Sequence, residues 1–146
     1  MNWQKVSIER LRAYEARLSS LTNIPEQIEA LELGFTSIRS AKADATAIRG
    51  GEGNKREEAL IDNIVMRDEL KNNLKIAERE VEITERGLAG LTDEQRTILE
   101  MFYIDRPRGH VEKLCDELFL EKSRVYALKE DALKKFTIAC YGVADI

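Results

Sequence analysis

The feature that most constrains the fold is a segment from about Lys55 to Leu88, which contains no proline and no glycine before Gly87. A helix of roughly 34 residues would be about 50 Å long, too long to lie across a small globular core. Its apolar residues recur at heptad spacing, which is typical of a coiled-coil-like helix. The residues on this face are Leu60, Leu70, Leu74, Ala77, Val81, Leu88 and Leu91, and the polar residues Asn63, Arg67 and Thr84 share it. These polar residues are either imperfections on a half-exposed helix or residues that set register or oligomeric state.

The first part of the chain shows the same kind of spacing from Val6 to about Ile38, and Pro25 interrupts it. Asn23 and Glu26 have the spacing of a capping box, so two helices could meet at this point. The apolar stripe keeps its phase across the proline, which favours one long helix with a kink.

Between these two segments, residues 39–54 lose the helical periodicity and include Gly50, Gly51 and Gly53. Because glycine destabilises the interior of a helix, we expect a flexible connection here. Two arms of matched length joined by such a connection predict an antiparallel helical hairpin over residues 1–88.

Three further apolar residues, Ile61, Ile64 and Val65, widen the stripe of the second arm beyond what a two-helix seam would cover. We therefore expect the hairpin to serve oligomerisation or another interaction. A homodimer formed through the N-terminal helices is the simplest assembly that would cover these residues.

The composition excludes several classes of protein. Two prolines and eight glycines are too few for a turn-rich all-β chain, and charged residues make up 34% of the sequence. No apolar run reaches the roughly 18 residues of a membrane span, and the N-terminal residues lack the apolar centre of a signal peptide. We expect a soluble, all-α, cytoplasmic protein that does not act at a membrane.

The residues that could carry metal or catalytic chemistry are few. Cys115 and Cys140 have only His110 to help them, whereas a zinc site needs about four ligands. Both cysteines lie in apolar helical patterns, which predicts small buried side chains in a reducing compartment. No glycine-rich phosphate loop is present, and His110, in a Pro/Gly turn, is expected to be a surface residue. We expect no enzyme activity, metal or cofactor.

Residues 91–142 predict a compact unit of three or four short helices. Thr92 has the position of an N-cap, and Asp93 and Glu94 would follow it in the first turn. The helices are expected to run from there to about Ile104, from Val111 to about Leu118, and from about Lys122 to Phe136.

The stretch from Val111 to Glu130 fits a helix-turn-helix, in which two short helices cross steeply and share a small core. The motif requires apolar residues at its fourth, eighth, tenth, fifteenth and eighteenth positions and a small residue at its fifth. Counted from Val111, these are Leu114, Leu118, Leu120, Val125, Leu128 and, as the small residue, Cys115. The ninth position is often a glycine in a left-handed conformation. Here it is Phe119, so we expect a slightly different linker geometry.

Several segments of this region together resemble region 4 of bacterial sigma factors. They are Leu91–Arg96 with Tyr103, the helix-turn-helix itself with Ser123–Tyr126, and Ala132–Phe136. With its N-terminal hairpin, the chain is similar to small sigma-like regulators of phages and prophages, akin to the ArpU and RinA late-gene activators. The resemblance implies sequence-specific binding to double-stranded promoter DNA, with RNA polymerase as a further partner. The regions that melt promoters are missing, which implies a regulator rather than a complete sigma factor.

Residue roles follow from the way a second motif helix enters the major groove with its N-terminus first. The residues expected to face DNA are Lys122, Ser123, Arg124, Tyr126, Ala127 and Lys129. Arg124 could read a guanine, while Lys122 and Lys129 would hold phosphates. Tyr126 is equally consistent with base contact and with packing. Lys113 and Arg96 resemble backbone contacts made from the preceding helices.

The net charge does not favour DNA binding by itself. The chain carries −4, and residues 91–146 hold nine basic against eleven acidic residues. The start of the second motif helix is locally basic, and local charge outweighs the total within a Debye length of about 8 Å. We therefore expect weak binding by a monomer, with a second copy or a polymerase supplying further contacts.

Two other functions remain open. A phage packaging component that resembles a terminase small subunit would also join a helix-turn-helix to an oligomerising hairpin, and would form a larger ring. Alternatively, the coiled arms could dock a protein partner, with the C-terminal unit acting only as a stable cap. Loss of DNA binding on replacement of Lys122 and Arg124 would separate a DNA-binding protein from this second alternative.

Overall fold

The computed structural model describes residues 1–44 and 50–144. The helices are α1 (Trp3–Asp44), α2 (Gly50–Ala89), α3 (Asp93–Leu99), α4 (His110–Leu118) and α5 (Lys122–Tyr141), and α3 continues as a π-helical turn over Glu100–Ile104. Within the described ranges there is no β-strand, which confirms the all-α prediction. None of the helices in these ranges combines the length and apolar character needed to cross a bilayer.

Helix α1 passes through Pro25 without ending, so the expectation of a single long helix is confirmed. A proline inside a helix removes one backbone hydrogen bond and costs about 3 kcal/mol. Ile24 is buried beside it, and Leu21 and Ile28 are half-buried on the same face. Burial of this stripe on both sides of the proline opposes the cost of the lost bond.

The flexible connection expected over residues 39–54 is wrong for the parts of it that the structure describes. Helix α1 continues to Asp44, and α2 already begins at Gly50. The full cost of glycine applies to helix interiors. Gly50, Gly51 and Gly53 lie at the start of α2, where the backbone N–H groups have no partner within the helix in any case. Residues 45–49 lie outside the described residues.

The described chain divides into two compact units, of which one comprises residues 18–78. In this unit α1 and α2 run antiparallel, because Arg56 bonds to the carbonyl of Ala41 (3.3 Å) while Asn63 bonds to that of Leu31 (2.8 Å). The Arg67 guanidinium lies 4.9 Å from the centroid of the Phe35 ring. Asn63 and Arg67 therefore make specific contacts across the seam, which favours a role in register over mere imperfection.

The other unit combines residues 1–17 with 79–146. Its first hydrophobic cluster contains Leu11 from α1 and Leu88 from α2 together with Leu99, Ala132, Leu133 and Phe136. The ends of both long helices therefore belong to the same core as α3 and α5. The sequence analysis placed residues 1–17 and 79–88 with the hairpin, because heptad spacing identifies a buried face and not the element that covers it.

Two contacts fix this packing closely. A Cβ atom added to Gly87 would lie 2.7 Å from both Cys140 Sγ and Phe136 Cε2, so α2 and α5 approach as near as a glycine allows. On α1, Arg10 forms an ion pair with Glu80 (Nη1–Oε2 2.6 Å) and donates from Nε to the Tyr141 hydroxyl (2.7 Å). The last turn of α5 is thereby tied to α1 and α2.

We predict that Leu11→Ala destabilises the protein by about 2–5 kcal/mol, because it leaves a cavity among fully buried side chains. Leu33→Ala is the matched control on the same helix, since Leu33 is 66% exposed, and its effect should stay within about 0.5 kcal/mol. Chemical denaturation of the full-length variants measures both effects. Equal effects of the two substitutions would show that the N-terminal residues are not part of the C-terminal core.

Candidate nucleic-acid interface

Helices α4 and α5 form a helix–turn–helix around the second hydrophobic cluster of the protein. Ile98, Phe102, Val111, Leu114 and Val125 are buried in this cluster. Cys115, Leu118, Leu120 and Leu128 are partly buried against it. All five predicted apolar positions and the predicted small residue therefore meet in one core, which confirms this part of the sequence analysis.

The turn between the helices is left-handed at Phe119 (φ 56°, ψ 45°). The expectation of a different linker geometry is therefore wrong, since a phenylalanine adopts the conformation for which glycine is usual. Its neighbours Leu118 and Leu120 both pack into the core, and the Leu120 N–H bonds back to the Cys115 carbonyl at 3.2 Å. These contacts constrain the connection, while the Phe119 side chain itself is 93% exposed.

Helix α3 begins as predicted, with Thr92 as N-cap in a capping box with Gln95. Its π-helical continuation is closed by a bond from the Asp105 N–H to the Glu100 carbonyl at 2.8 Å. Arg96 is exposed, and its guanidinium pairs with Glu100 on the same helix (2.8 Å). The structure therefore gives Arg96 an internal partner rather than presenting it as an isolated charge.

The first turn of α5 carries three consecutive exposed residues, Lys122, Ser123 and Arg124. Val125 follows them and is completely buried in the shared core. The N-cap residue, Glu121, makes no side-chain bond to the helix end. Within the part of the chain that the structure describes, no acidic side chain pairs with Lys122 or Arg124. We call these three residues the tip of α5.

The other predicted contact residues differ in their surroundings. Ala127 on α5 and Lys113 on α4 are exposed. Tyr126 is 40% exposed and also packs against Phe102, with ring centroids 5.8 Å apart at 69°. The packing that the sequence analysis considered for Tyr126 is present, and its partial exposure leaves base contact as a prediction.

Lys129 is engaged inside the protein. Its side chain is 15% exposed, and Nζ lies 2.7 Å from Glu130 Oε1. The ammonium group also lies 5.3 Å from the Phe102 centroid and 5.6 Å from the Tyr126 centroid. Burial lowers the pKa of Lys129, but the hydrogen bond to Glu130 and the electrostatic influence of Tyr103 and Glu130 outweigh it and give a net upward shift. Lys129 therefore stays charged and already has its partners.

Phe102 is the residue at this interface that sequence reasoning missed. Besides Tyr126 and Lys129, it contacts the His110 ring edge-on, at a centroid distance of 4.7 Å and 87°. His110 is half-buried rather than a free surface residue. Burial and the nearby charge of Arg106 lower its pKa. In the sequence, Phe102 was only one apolar residue of a helical stripe, and no spacing rule connects it to α5.

The charges around the tip of α5 are mixed. Asp116, Glu117 and Glu121 are exposed on the end of α4 and in the turn. A duplex that approached the tip would meet these carboxylates as well as Lys122 and Arg124. In the described ranges, no three histidine, cysteine, aspartate or glutamate side chains come together as metal ligands.

Comparison with known proteins identifies one family, described as proteins of unknown function (DUF1492), whose profile matches residues 37–137. The chain belongs to the DUF1492 family. The DUF1492 match includes all of α3 and α4 and most of α5. No curated protein and no solved structure matches the chain. The resemblance to sigma region 4 therefore stays a prediction.

The strain in the turn leads to a stability prediction. Phe119→Gly should raise the free energy of unfolding by about 1 kcal/mol, because glycine adopts the left-handed conformation without a Cβ clash. Phe119→Ala is the control, since it removes the exposed ring but keeps the clash, and its effect should be near zero. Thermal and chemical denaturation measure both variants. Equal stabilisation by alanine and glycine would show that the exposed ring, and not the left-handed backbone, lowers the free energy of unfolding of the wild-type protein.

Proposed function

We propose that this protein is a sequence-specific DNA-binding regulator of transcription, of phage or prophage origin, that places the start of α5 in the major groove. The observation that supports it most is the tip of α5, where three exposed residues precede a fully buried Val125. A reading helix must expose its first turn to base edges while its other face is held by a small core. The tip meets both conditions.

The side chains of the tip suit both contacts to base edges and contacts to the phosphate backbone. A planar Arg124 guanidinium can donate two hydrogen bonds to a guanine, and such a pair is worth about 1–3 kcal/mol against a wrong base. The compact charge of Lys122 suits phosphate oxygens, which supply affinity and salt dependence. Ser123 adds a hydroxyl that bonds to either. Neither cation has to break an ion pair within the described structure before it meets DNA.

The mixed charge of this unit favours weak binding by one copy, so the proposal includes a homodimer. In the unit of residues 18–78, Ile61, Ile64 and Val65 on α2 are 58%, 42% and 50% exposed. A second copy that covered them would bring a second tip to the DNA and raise the effective concentration of the first. RNA polymerase is the alternative source of such a contact. The two free thiols agree with action in the reducing cytoplasm.

The proposal is tested by selecting bound duplexes from a random pool with the full-length protein. Replacement of both Lys122 and Arg124 by alanine should weaken binding to the selected sequence at least tenfold, because one base contact and one phosphate contact are lost. Fluorescence anisotropy at several salt concentrations measures the effect.

The double variant Lys134→Ala, Lys135→Ala is the matched control, since it removes two exposed lysines farther along the same helix. It should retain most of the affinity for the selected sequence. Equal losses in the two double variants would indicate non-specific attraction rather than reading by the tip. No binding by the wild-type protein would favour the coiled interaction protein.

The dimer is tested by the double variant Ile61→Glu, Val65→Glu, which should produce a monomer because it places charges in an apolar contact. Met66→Glu is the control, because Met66 is similarly exposed (53%) but lies on a different side of α2. Sedimentation or light scattering of the full-length chain gives the mass. A wild-type monomer would contradict the dimer, and a ring of eight or more copies would favour the packaging alternative.

A further inference from the structure

Lys122, Tyr126 and Lys129 lie along one side of α5, because their spacing of four and three residues brings them to the same helical face. The two lysines nevertheless differ in their surroundings. Lys122 is exposed at the tip, whereas the Lys129 side chain is 15% exposed. Lys122 and Lys129 are therefore not equivalent, and the structure does not favour the interpretation that both bind phosphates on either side of Tyr126.

Four residues lie around the Lys129 ammonium, two from the π-helical turn after α3 and two from α5 itself. Phe102 and Tyr126 present ring faces at 5.3 and 5.6 Å, a distance at which a cation attracts the π-electrons. Glu130 accepts a bond at 2.7 Å, and Tyr103 is close enough to help raise the pKa of the same group. We call these four residues and Lys129 the lysine cage. A phosphate could attract Lys129 only at the expense of these contacts.

The lysine cage limits the freedom of Tyr126. The Tyr126 ring packs against Phe102 in an edge-to-face arrangement, at 69° between the ring planes, and its face lies towards Lys129. Tyr126 is nevertheless 40% exposed, and its neighbour Ala127 is exposed too. A tyrosine has a large surface and few rotatable bonds, so a ring held on two sides contributes contact area at a small cost in entropy.

We propose that Tyr126 is a specificity-determining contact to the DNA bases and that Lys129 is its positioning residue rather than a phosphate anchor. This inference rests on the proposed DNA-binding function. Tyr126 is 40% exposed, and a tyrosine side chain combines an apolar ring with one hydroxyl, which suit a thymine methyl group or a base acceptor in the major groove. Lys129 acts through the orientation of that ring.

The test separates the two roles of a lysine by the salt dependence of binding. Each phosphate contact adds about 0.9 to the slope of log affinity against log salt. Lys129→Met keeps the apolar stem and removes the charge, so it should leave the slope unchanged. The ratio of affinities for the selected sequence and a sequence with one altered base pair should fall about tenfold, as for loss of one base contact.

Three comparisons complete the experiment. Lys122→Met should reduce the slope by about one and leave the discrimination between sequences unchanged. Tyr126→Leu should reduce the discrimination between sequences as much as Lys129→Met does. The variant carrying both changes should lose no more discrimination than either alone, because the two residues act as a unit. Lys129→Arg keeps a cation over the rings and should restore the discrimination.

A measurement without DNA examines the lysine cage directly. In the NMR spectrum of the free protein, the side-chain protons of Lys129 should be shifted by the ring currents of Phe102 and Tyr126, and Tyr126→Leu should remove part of that shift. A fall in the salt slope with Lys129→Met, or unaltered discrimination, would overturn the positioning role while the DNA-binding function stands. No duplex binding by the wild-type protein would overturn both proposals.

Discussion

Leu11 and Leu88 pack with Leu133 and Phe136 of α5, and the organisation of the C-terminal unit depends on this contact. Helices α3, α4 and α5 are short or exposed on much of their surface, and a core built from them alone would be small. The ends of the two long helices enlarge it, and Gly87 allows α2 to approach α5 closely. The bonds of Arg10 to Glu80 and Tyr141 then secure the far end of α5.

Helix α5 therefore has two parts with different tasks. Its second half, around Ala132, Leu133 and Phe136, is buried in the first cluster, while its first turn is exposed and rests only on the second. Because a helix is stiff over this length, the position of the tip depends on how firmly the buried half is held. In the proposed function, residues far from DNA thus determine where Lys122 and Arg124 can reach. Acidic residues lie near Lys122 and Arg124, so long-range attraction of DNA is weak. Binding at the tip therefore depends more on its geometry.

The sequence predicted much of the helix-turn-helix, because the spacing of Leu114, Leu120 and Val125 reflects a core made by neighbours in the chain. It did not predict the conformation of Phe119, since the left-handed turn is imposed by the burial of residues on both sides. The role of Lys129 was also hidden. Its aromatic partner Phe102 comes from another helix. In the sequence, a lysine on the helical face predicted to contact DNA cannot be distinguished from one whose charge is enclosed by other side chains.

The sequence by itself determined the all-helical character, the buried face of each long helix and the apolar positions of the helix-turn-helix. These properties depend on periodicity and on residues close together in the chain. Only the tertiary structure decided which elements cover the ends of α1 and α2, where the helices begin around Gly50, and which cations remain available. The reason is that the shared cluster of Leu11 and Phe136, or the contact of Lys129 with Phe102, joins residues that no local pattern relates, and only packing brings them together.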